Sequence, residues 1–212
     1  MIEFFTISRH VSAEIIEKKS RFIADIYPVS NVKEAEIKIK EVKKKYFDAK
    51  HHCIAYRIFE DDRIIEKSSD DGEPSGTAGA PMLNLLQGKN MCNVVVIITR
   101  YFGGVLLGTG GLVRAYSEAE KQVIQKSDFI REVEGIEFQV EVEYSNLENF
   151  KYYCKNNDIN ILNIEYAENI SLKIEMKIDK KDIFTKDIEE KKIKIISVVE
   201  NCQKLVNIVE NK

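Results

Sequence analysis

Glycine placement constrains this chain more than any other feature. Nine of its ten glycines fall between Gly72 and Gly111, inside the stretch DDGEPSGTAGAPMLNLLQGKNMCNVVVIITRYFGGVLLGTGGLVRAY from Asp70 to Tyr116. Within it a continuous apolar run, Val94 to Ile98, ends in Thr99-Arg100-Tyr101-Phe102. Gly103-Gly104 follow, then an apolar turn, then Gly108-Thr109-Gly110-Gly111 at the start of a helical pattern. A buried strand, a glycine loop and a helix start, in that order, present backbone N–H groups to an anion. The functional surface is therefore expected here.

The rest of the chain reads as scaffold. EFFTI, SAEIIEKKS and RFIADIYPV (residues 3–29) alternate as strands, with Lys18-Lys19-Ser20-Arg21 as a basic turn. Asn31 with Glu34 forms a capping box for an amphipathic helix carrying Val32, Ala35, Ile39, Val42 and Tyr46. HHCIAYRIF (His51 to Phe59) is a strand with His51, Cys53, Ala55, Arg57 and Phe59 on one face. A hairpin at Glu60-Asp61-Asp62 leads into residues 63–67, and Met82, Leu83, Leu85 and Leu86 mark a short helix ended by Gly88. Leu112, Ala115, Tyr116, Ala119 and Val123 define a helix to about Ser127, with Thr109 as its N-cap.

A second unit begins near Arg131. Strands are expected at 136–144, 159–166, 170–178 and 193–199. Two helices intervene: one opened by a Ser145/Glu148 capping box and carrying Leu147, Phe150 and Cys154, the other capped by Asp179 and carrying Phe184 and Ile188. The order β-α-β-β-α-β is the ferredoxin-like arrangement. Residues 200–212 are expected as a short helix or frayed end. The fold class is α+β, in two domains, 1–130 and 131–212.

Composition excludes several function classes. The 44% hydrophobic and 32% charged fractions describe a globular protein. No apolar run reaches a membrane span, and MIEFFTISRH lacks the basic segment and apolar core of a signal peptide. Cys53, Cys92, Cys154 and Cys202 form no CxxC pair, which argues against structural zinc; three of the four lie in apolar surroundings, as small core residues do, and the expected compartment is a reducing cytoplasm. Net charge is about +1 over residues 1–130 and about −4 over 131–212, so nucleic-acid contact requires a local patch.

Candidate chemistry gathers in three segments. Gly103, Gly104, Gly108, Thr109, Gly110 and Gly111 could cradle a phosphate, although neither a Walker A loop nor a GxGxxG spacing is present. The alternative is that these glycines only permit a sharp strand-to-helix turn. In the second segment, Asp70, Asp71 and Glu73, with Gly72, Pro74, Ser75, Gly76 and Thr77, could hold Mg²⁺ or act in acid–base chemistry, but carboxylates in such loops more often form turns. The third group is basic: His51, His52, Arg57, Arg100 and Arg114 could face phosphates if their strands meet, with Tyr101 and Phe102 for stacking; alternation puts only His51 and Arg57 on one side, and for His52 a core position and a functional one stay open. No Ser-His-Asp or Cys-His arrangement is readable.

KSRFIA (19–24), HHCIAYR (51–57), SSDDGEPSGTAGAP (68–81) and RYFGGVLLGTGGLVRAY (100–116) resemble the signature segments of the YigZ/IMPACT family. The resemblance covers roughly residues 1–127, and 136–200 fit the smaller second domain of bacterial members. It implies an N-terminal α+β domain of the type shared by a small-subunit ribosomal protein domain, elongation factor G domain IV and the GHMP kinases. It also implies a ferredoxin-like domain similar to elongation factor G domain V. The kinase-restraining role of eukaryotic relatives, which carry an extra RWD domain, is not expected of a chain that starts in the signature domain. Fold kinship supplies no activity, and the family has no established one. The reading that follows is a non-enzymatic cytoplasmic protein, without cofactor, metal or membrane contact, that binds RNA or the ribosome and modulates translation, with a protein partner in translation as a further expectation. A phosphometabolite- or nucleotide-binding protein or enzyme using the Gly103–Gly111 loop is the alternative, and a protein-interaction module is the third.

Overall fold

The computed structural model describes residues 2–208 and divides into two units, Phe4–Ile130 and a second comprising the first three residues with 131 onward. In the first unit, strands β1 (Glu3–Ile7, from Phe4 onward in this unit), β2 (Val11–Glu17), β3 (Ser20–Pro28), β4 (His51–Glu60), β5 (Arg63–Ser69) and β6 (Val94–Tyr101) accompany helices α1 (Val32–Lys45), α2 (Gly79–Gly88) and α3 (Thr109–Gln125). Five strands form one antiparallel sheet in the order β2-β3-β6-β4-β5. Strand β1 is tied to the segment after α2, since Phe5 N–H donates to Asn90 O and Cys92 N–H to Phe5 O.

The centre of the sheet follows from β6. Val94 through Ile98 are all fully buried, as a continuous apolar run covered on both faces should be. Burying each of these side chains stabilises the fold by roughly 1.5–3 kcal/mol. Val94, Val96 and Ile98 face α2 and α3 with Phe22, Ala24, Cys53, Met82 and Tyr116. Val95 and Ile97 face α1 with Ala35, Val42, Ile54 and Tyr56. The alternation expected along residues 51–59 is thus present: Cys53 and Ala55 take one side, Ile54, Tyr56 and Ile58 the other. Asn31 caps α1, its Oδ1 accepting from Glu34 N–H at 2.8 Å.

The second unit contains β7 (Phe129–Val142), α4 (Leu147–Asn156), β8 (Asn160–Tyr166), β9 (Ile170–Lys177), α5 (Lys181–Glu189) and β10 (Ser197–Ile208). Strand order β10-β7-β9-β8, antiparallel throughout, with both helices in the connections, is the ferredoxin-like topology. Its core is Ile136, Phe138, Val140, Leu172, Ile174, Phe150 and Phe184 with their neighbours.

Several local expectations are corrected. Gly108, at φ 72°, is the N-cap of α3 and Thr109 its first residue; no side chain caps it. Ser145 Oγ bonds to Glu143 and Glu148 pairs with Lys151, so no capping box opens α4. Asp179 lies in a 3₁₀ turn and caps nothing, α5 starting at Lys181. The last strand runs Ser197–Ile208, not 193–199, because pairing with β7 from Arg131 to Glu141 supplies backbone partners that local propensity could not reveal. The expected helical tail is therefore strand to Ile208, and residues 209–212 lie outside the described residues.

One residue on the buried face of α3 opposes its apolar pattern. Glu120 is fully buried among Tyr116, Ala119, Val123 and Ile124 on that face, and neither carboxyl oxygen has a hydrogen-bond partner among the described residues. Burial pushes its carboxyl well above the usual range, so the folded state holds the proton that the unfolded chain releases near pH 4.5. Stability from this group is full below the unfolded value and falls as pH rises toward the folded one. Glu120→Leu should raise stability at pH 8 by about 1–3 kcal/mol, with a smaller gain at pH 4, measured by urea unfolding at both.

Candidate functional site

The four signature segments meet on the α2/α3 side of the first sheet. Register places His51 and Phe22 on either side of Arg100 across β4, β6 and β3. Arg100 Nη1 donates to Glu73 Oε1 at 2.6 Å, and Tyr116 Oη donates to the same oxygen at 2.9 Å. Both members of the ion pair are buried, with 7% and 4% of their side chains exposed. The guanidinium lies over the rings of Phe22 and Phe102, 5.4 and 5.7 Å from their centroids. Tyr116 packs edge-on against Phe22. Burial, then Cys53 and Glu73, push its phenol far above the ordinary value, so it stays a donor.

The acidic loop is held from within. Asp70 accepts the backbone N–H groups of Gly76, Ala78 and Gly79 at 2.8–2.9 Å, so its carboxylate sits at the N-terminus of α2. Partial burial opposes ionisation, but the three N–H donors outweigh it and hold the carboxyl below the usual range. Asp71 meets Lys43 Nζ and His52 N–H, and His51 Nδ1 lies 3.0 Å from Asp71 O. Burial raises the Asp71 carboxyl, and Lys43 and His52 together bring it below the usual range. Thr77 Oγ1 donates to Pro74 O, and Cys53 Sγ to Asp70 O. Ser75 and Gly76 are exposed, and Gly72 packs near the His51 ring. The three carboxylates thus point to three separate partners, and among the described residues no group of three or more His, Cys, Asp or Glu could hold a metal. Burial pushes the Cys53 thiol up to about 12, which keeps it protonated and a poor nucleophile.

The basic candidates divide. Arg57 is buried, donating to Glu66 at 2.7 Å and to Met91 O at 2.8 Å. His52 is buried with its Nε2 on Tyr46 O. Arg57 and Arg100 therefore present no guanidinium to an open surface, a correction to the expectation that they face phosphates: each has a carboxylate partner that a single sequence does not reveal. Tyr101 is half-buried, with its hydroxyl on Asp48. Arg114, by contrast, is exposed.

The open part of the site is the glycine loop and the start of α3. Gly103 is locked in place: a Cβ there would lie 1.9 Å from the Lys19 carbonyl carbon, and its N–H donates to Ser20 Oγ. Gly104, Gly108 and Gly110 face open space, and Leu106 is 84% exposed. Beside them a cavity of about 540 Å³ runs between β2 and α3, lined by Ile15, Glu17, Lys18, Leu107, Gly111, Arg114, Glu118 and Lys121 among others. Lys18, Arg114 and Lys121 make no ion pair among the described residues. Sequence reasoning missed Lys18 and Lys121 as groove residues. The signal was the KSRF segment, since the glycine loop folds against the Lys18-Lys19 turn.

Two outcomes test this division. Gly103→Ala should destabilise the chain by several kcal/mol, of order 3 or more, while Gly110→Ala, at a helical position with open space around it, should be neutral or stabilise by up to about 1 kcal/mol; thermal unfolding reads both. Asp70→Ala should cost about 1–2 kcal/mol at pH 7. The folded Asp70 carboxyl lies below the unfolded value of 3.8, so its contribution is present above that value and lost as pH falls through the folded one. The gap between variant and wild type should accordingly narrow below pH 3.8 in urea titrations.

Comparison with known proteins agrees with the segments that built this site. Residues 18–124 match the model of the Impact N-terminal domain, and residues 140–191 match a domain of unknown function, DUF1949. The chain is 33% identical to an IMPACT family member of Haemophilus influenzae over 90% of this chain and 93% of that one. It is 36% identical to the IMPACT family member YigZ of Escherichia coli, over 74% and 78% of the two chains. A crystal structure described as a hypothetical protein matches the whole of both chains at 30% identity and a TM-score of 0.62. The glycine loop, the acidic loop and the buried Arg100 cluster all lie within the matched N-terminal domain, and the chain belongs to the IMPACT family.

Proposed function

We propose that this protein is a non-enzymatic cytoplasmic nucleic-acid- or ribosome-binding protein that modulates translation. The observation that carries the reading is the groove at the start of α3, where three cations outnumber the carboxylates of Glu17 and Glu118. There an uncapped helix N-terminus, the exposed Gly104–Gly110 loop and the cations Lys18, Arg114 and Lys121 share one surface. Unsatisfied first-turn N–H groups and free cations suit phosphate oxygens. Phe102, about half exposed at the loop base, offers a ring for stacking. The elongation-factor-like character implied by the family resemblance supports translation as the setting. Of the residues expected to bind, Gly104, Gly108, Thr109, Gly110, Gly111 and Arg114 belong to the contact surface, and Arg100, with His51 beside it, and Gly103 shape it from below; Tyr101 lies on the α1 face with its hydroxyl on Asp48, and Arg57 pairs with Val94 at the far end of β6. No helix among the described residues is long and apolar enough to cross a membrane.

Polarisation assays with single-stranded RNA, duplex RNA, duplex DNA and ribosomes at two salt concentrations test the reading. Saturable, salt-sensitive binding that favours RNA or ribosomes is expected. Arg114→Ala combined with Lys18→Ala should weaken it and reduce the log–log salt slope by about 0.7–0.9 for each phosphate no longer neutralised. Arg100→Ala should lower stability more than it changes that slope. Absence of nucleic-acid binding, together with a melting shift on a small phosphorylated ligand, would transfer the groove to the phosphometabolite reading.

A further inference from the structure

The second unit carries none of the surface just described, yet its helical side holds a groove of about 380 Å³ between α4 and the 191–194 segment after α5. The floor is apolar, formed by buried Phe150 and Ile193. One wall is α4, where Asn149, Tyr152 and Asn156 recur at i, i+3 and i+7 and so share a face. None of their side chains is engaged by another described residue, and Tyr152 is 69% exposed. On the opposite wall Lys191 and Lys194 carry charges with no ion-pair partner among the described residues, while Lys192 between them is held by Asp187 and Glu190, both at 2.8 Å. An adjoining hollow of about 330 Å³ shares Asn146 and Lys194 with the groove, so the channel continues past one ligand group; Glu143 is the carboxylate on its wall.

This set of groups is selective in what it can recognise. Free lysines alone would suit any anion. Open primary amides pair in two-point fashion with base edges, and an exposed aromatic face stacks on an unpaired base. An amide, a ring and a cation around an apolar floor thus match bases splayed from a phosphate backbone, which only a single strand offers. An acidic peptide would use the lysines and leave the amides and the Tyr152 face without a role. We propose that this groove of the DUF1949 domain binds a single-stranded RNA segment. The proposal rests on the preceding reading only in taking RNA as the ligand; it uses a different surface.

The test uses the full chain and a fluorescein-labelled single-stranded RNA of about twelve nucleotides, within the usual range of single-strand site sizes. Asn149→Ala with Tyr152→Ala should weaken binding about tenfold or more, and Lys191→Glu with Lys194→Glu should lower the salt slope by about 1.4. These positions are on the surface, and an unchanged melting temperature verifies folding. Independently of any variant, asparagine-selective ¹⁵N labelling should show the Asn149 and Asn156 side-chain amides shifting on RNA addition. If Lys18→Ala/Arg114→Ala weakens binding while the Asn149/Tyr152 variant and the amide signals do not change, this proposal is overturned and the first-unit reading survives. The reverse pattern supports the groove and overturns the α3 surface. Absence of RNA binding, or binding of polyglutamate in its place, overturns the groove proposal.

Discussion

The buried pair of Glu73 and Arg100 is the interaction on which the site depends. Removing two charges from water costs several kcal/mol per ion, and only good geometry with further hydrogen bonds offsets it. Here Tyr116 adds a second donor to the carboxylate, and Phe22 and Phe102 cover the guanidinium. The pair joins the acidic loop, the end of β6 and the buried face of α3, three segments with no local reason to meet. Because Arg100 anchors the last turn of chain before Gly103, it also fixes where the glycine loop leaves the sheet. Ser20 completes the connection, accepting from Gly103 N–H and lying 3.4 Å from Arg100 Nη2.

This arrangement separates residues that look alike in the sequence. Asp70, Asp71 and Glu73 resemble a metal-binding trio, yet their roles differ. Asp70 caps α2, Asp71 ties α1 to β4, and Glu73 neutralises Arg100. Arg57, Arg100 and Arg114 resemble one basic cluster, yet two are interior ion-pair members and one is exposed. The glycines divide similarly. Gly103 allows backbone to lie directly on Lys19, whereas Gly110 has no neighbour that a Cβ would meet. Much of the signature therefore builds the platform, and a smaller exposed remainder is available for binding.

How much is legible in the sequence follows from the range of the forces involved. The Val94–Ile98 strand, the Asn31 cap and the alternation along 51–59 are readable because each rests on residues close in sequence. The ferredoxin-like order is readable because apolar periodicity changes at each element. Fates decided by distant partners are not readable. Nothing near Arg57 names Met91 O as an acceptor, and nothing in residues 200–208 announces β7 as a strand partner. Glu120 illustrates the opposite failure, since a charged residue inside an apolar helical pattern reads as a solvated position and is instead buried.

The Lys18-Lys19 turn shows how platform and contact surface are linked. Both residues adopt positive φ, 46° and 67°, at a two-residue connection where Asn-Gly would be relaxed. Left-handed backbone costs a non-glycine residue roughly 1–2 kcal/mol, so the turn persists only because its surroundings over-determine it. Those surroundings are visible: β2 and β3 pair down to Glu17 and Ser20, and Gly103 lies against the Lys19 carbonyl, where no larger residue fits. Gly103 is in turn positioned by the Ser20 hydroxyl and the Arg100 end of β6. The buried ion pair thus governs a strained basic turn that it never touches, and places Lys18 on the rim of the groove beside α3.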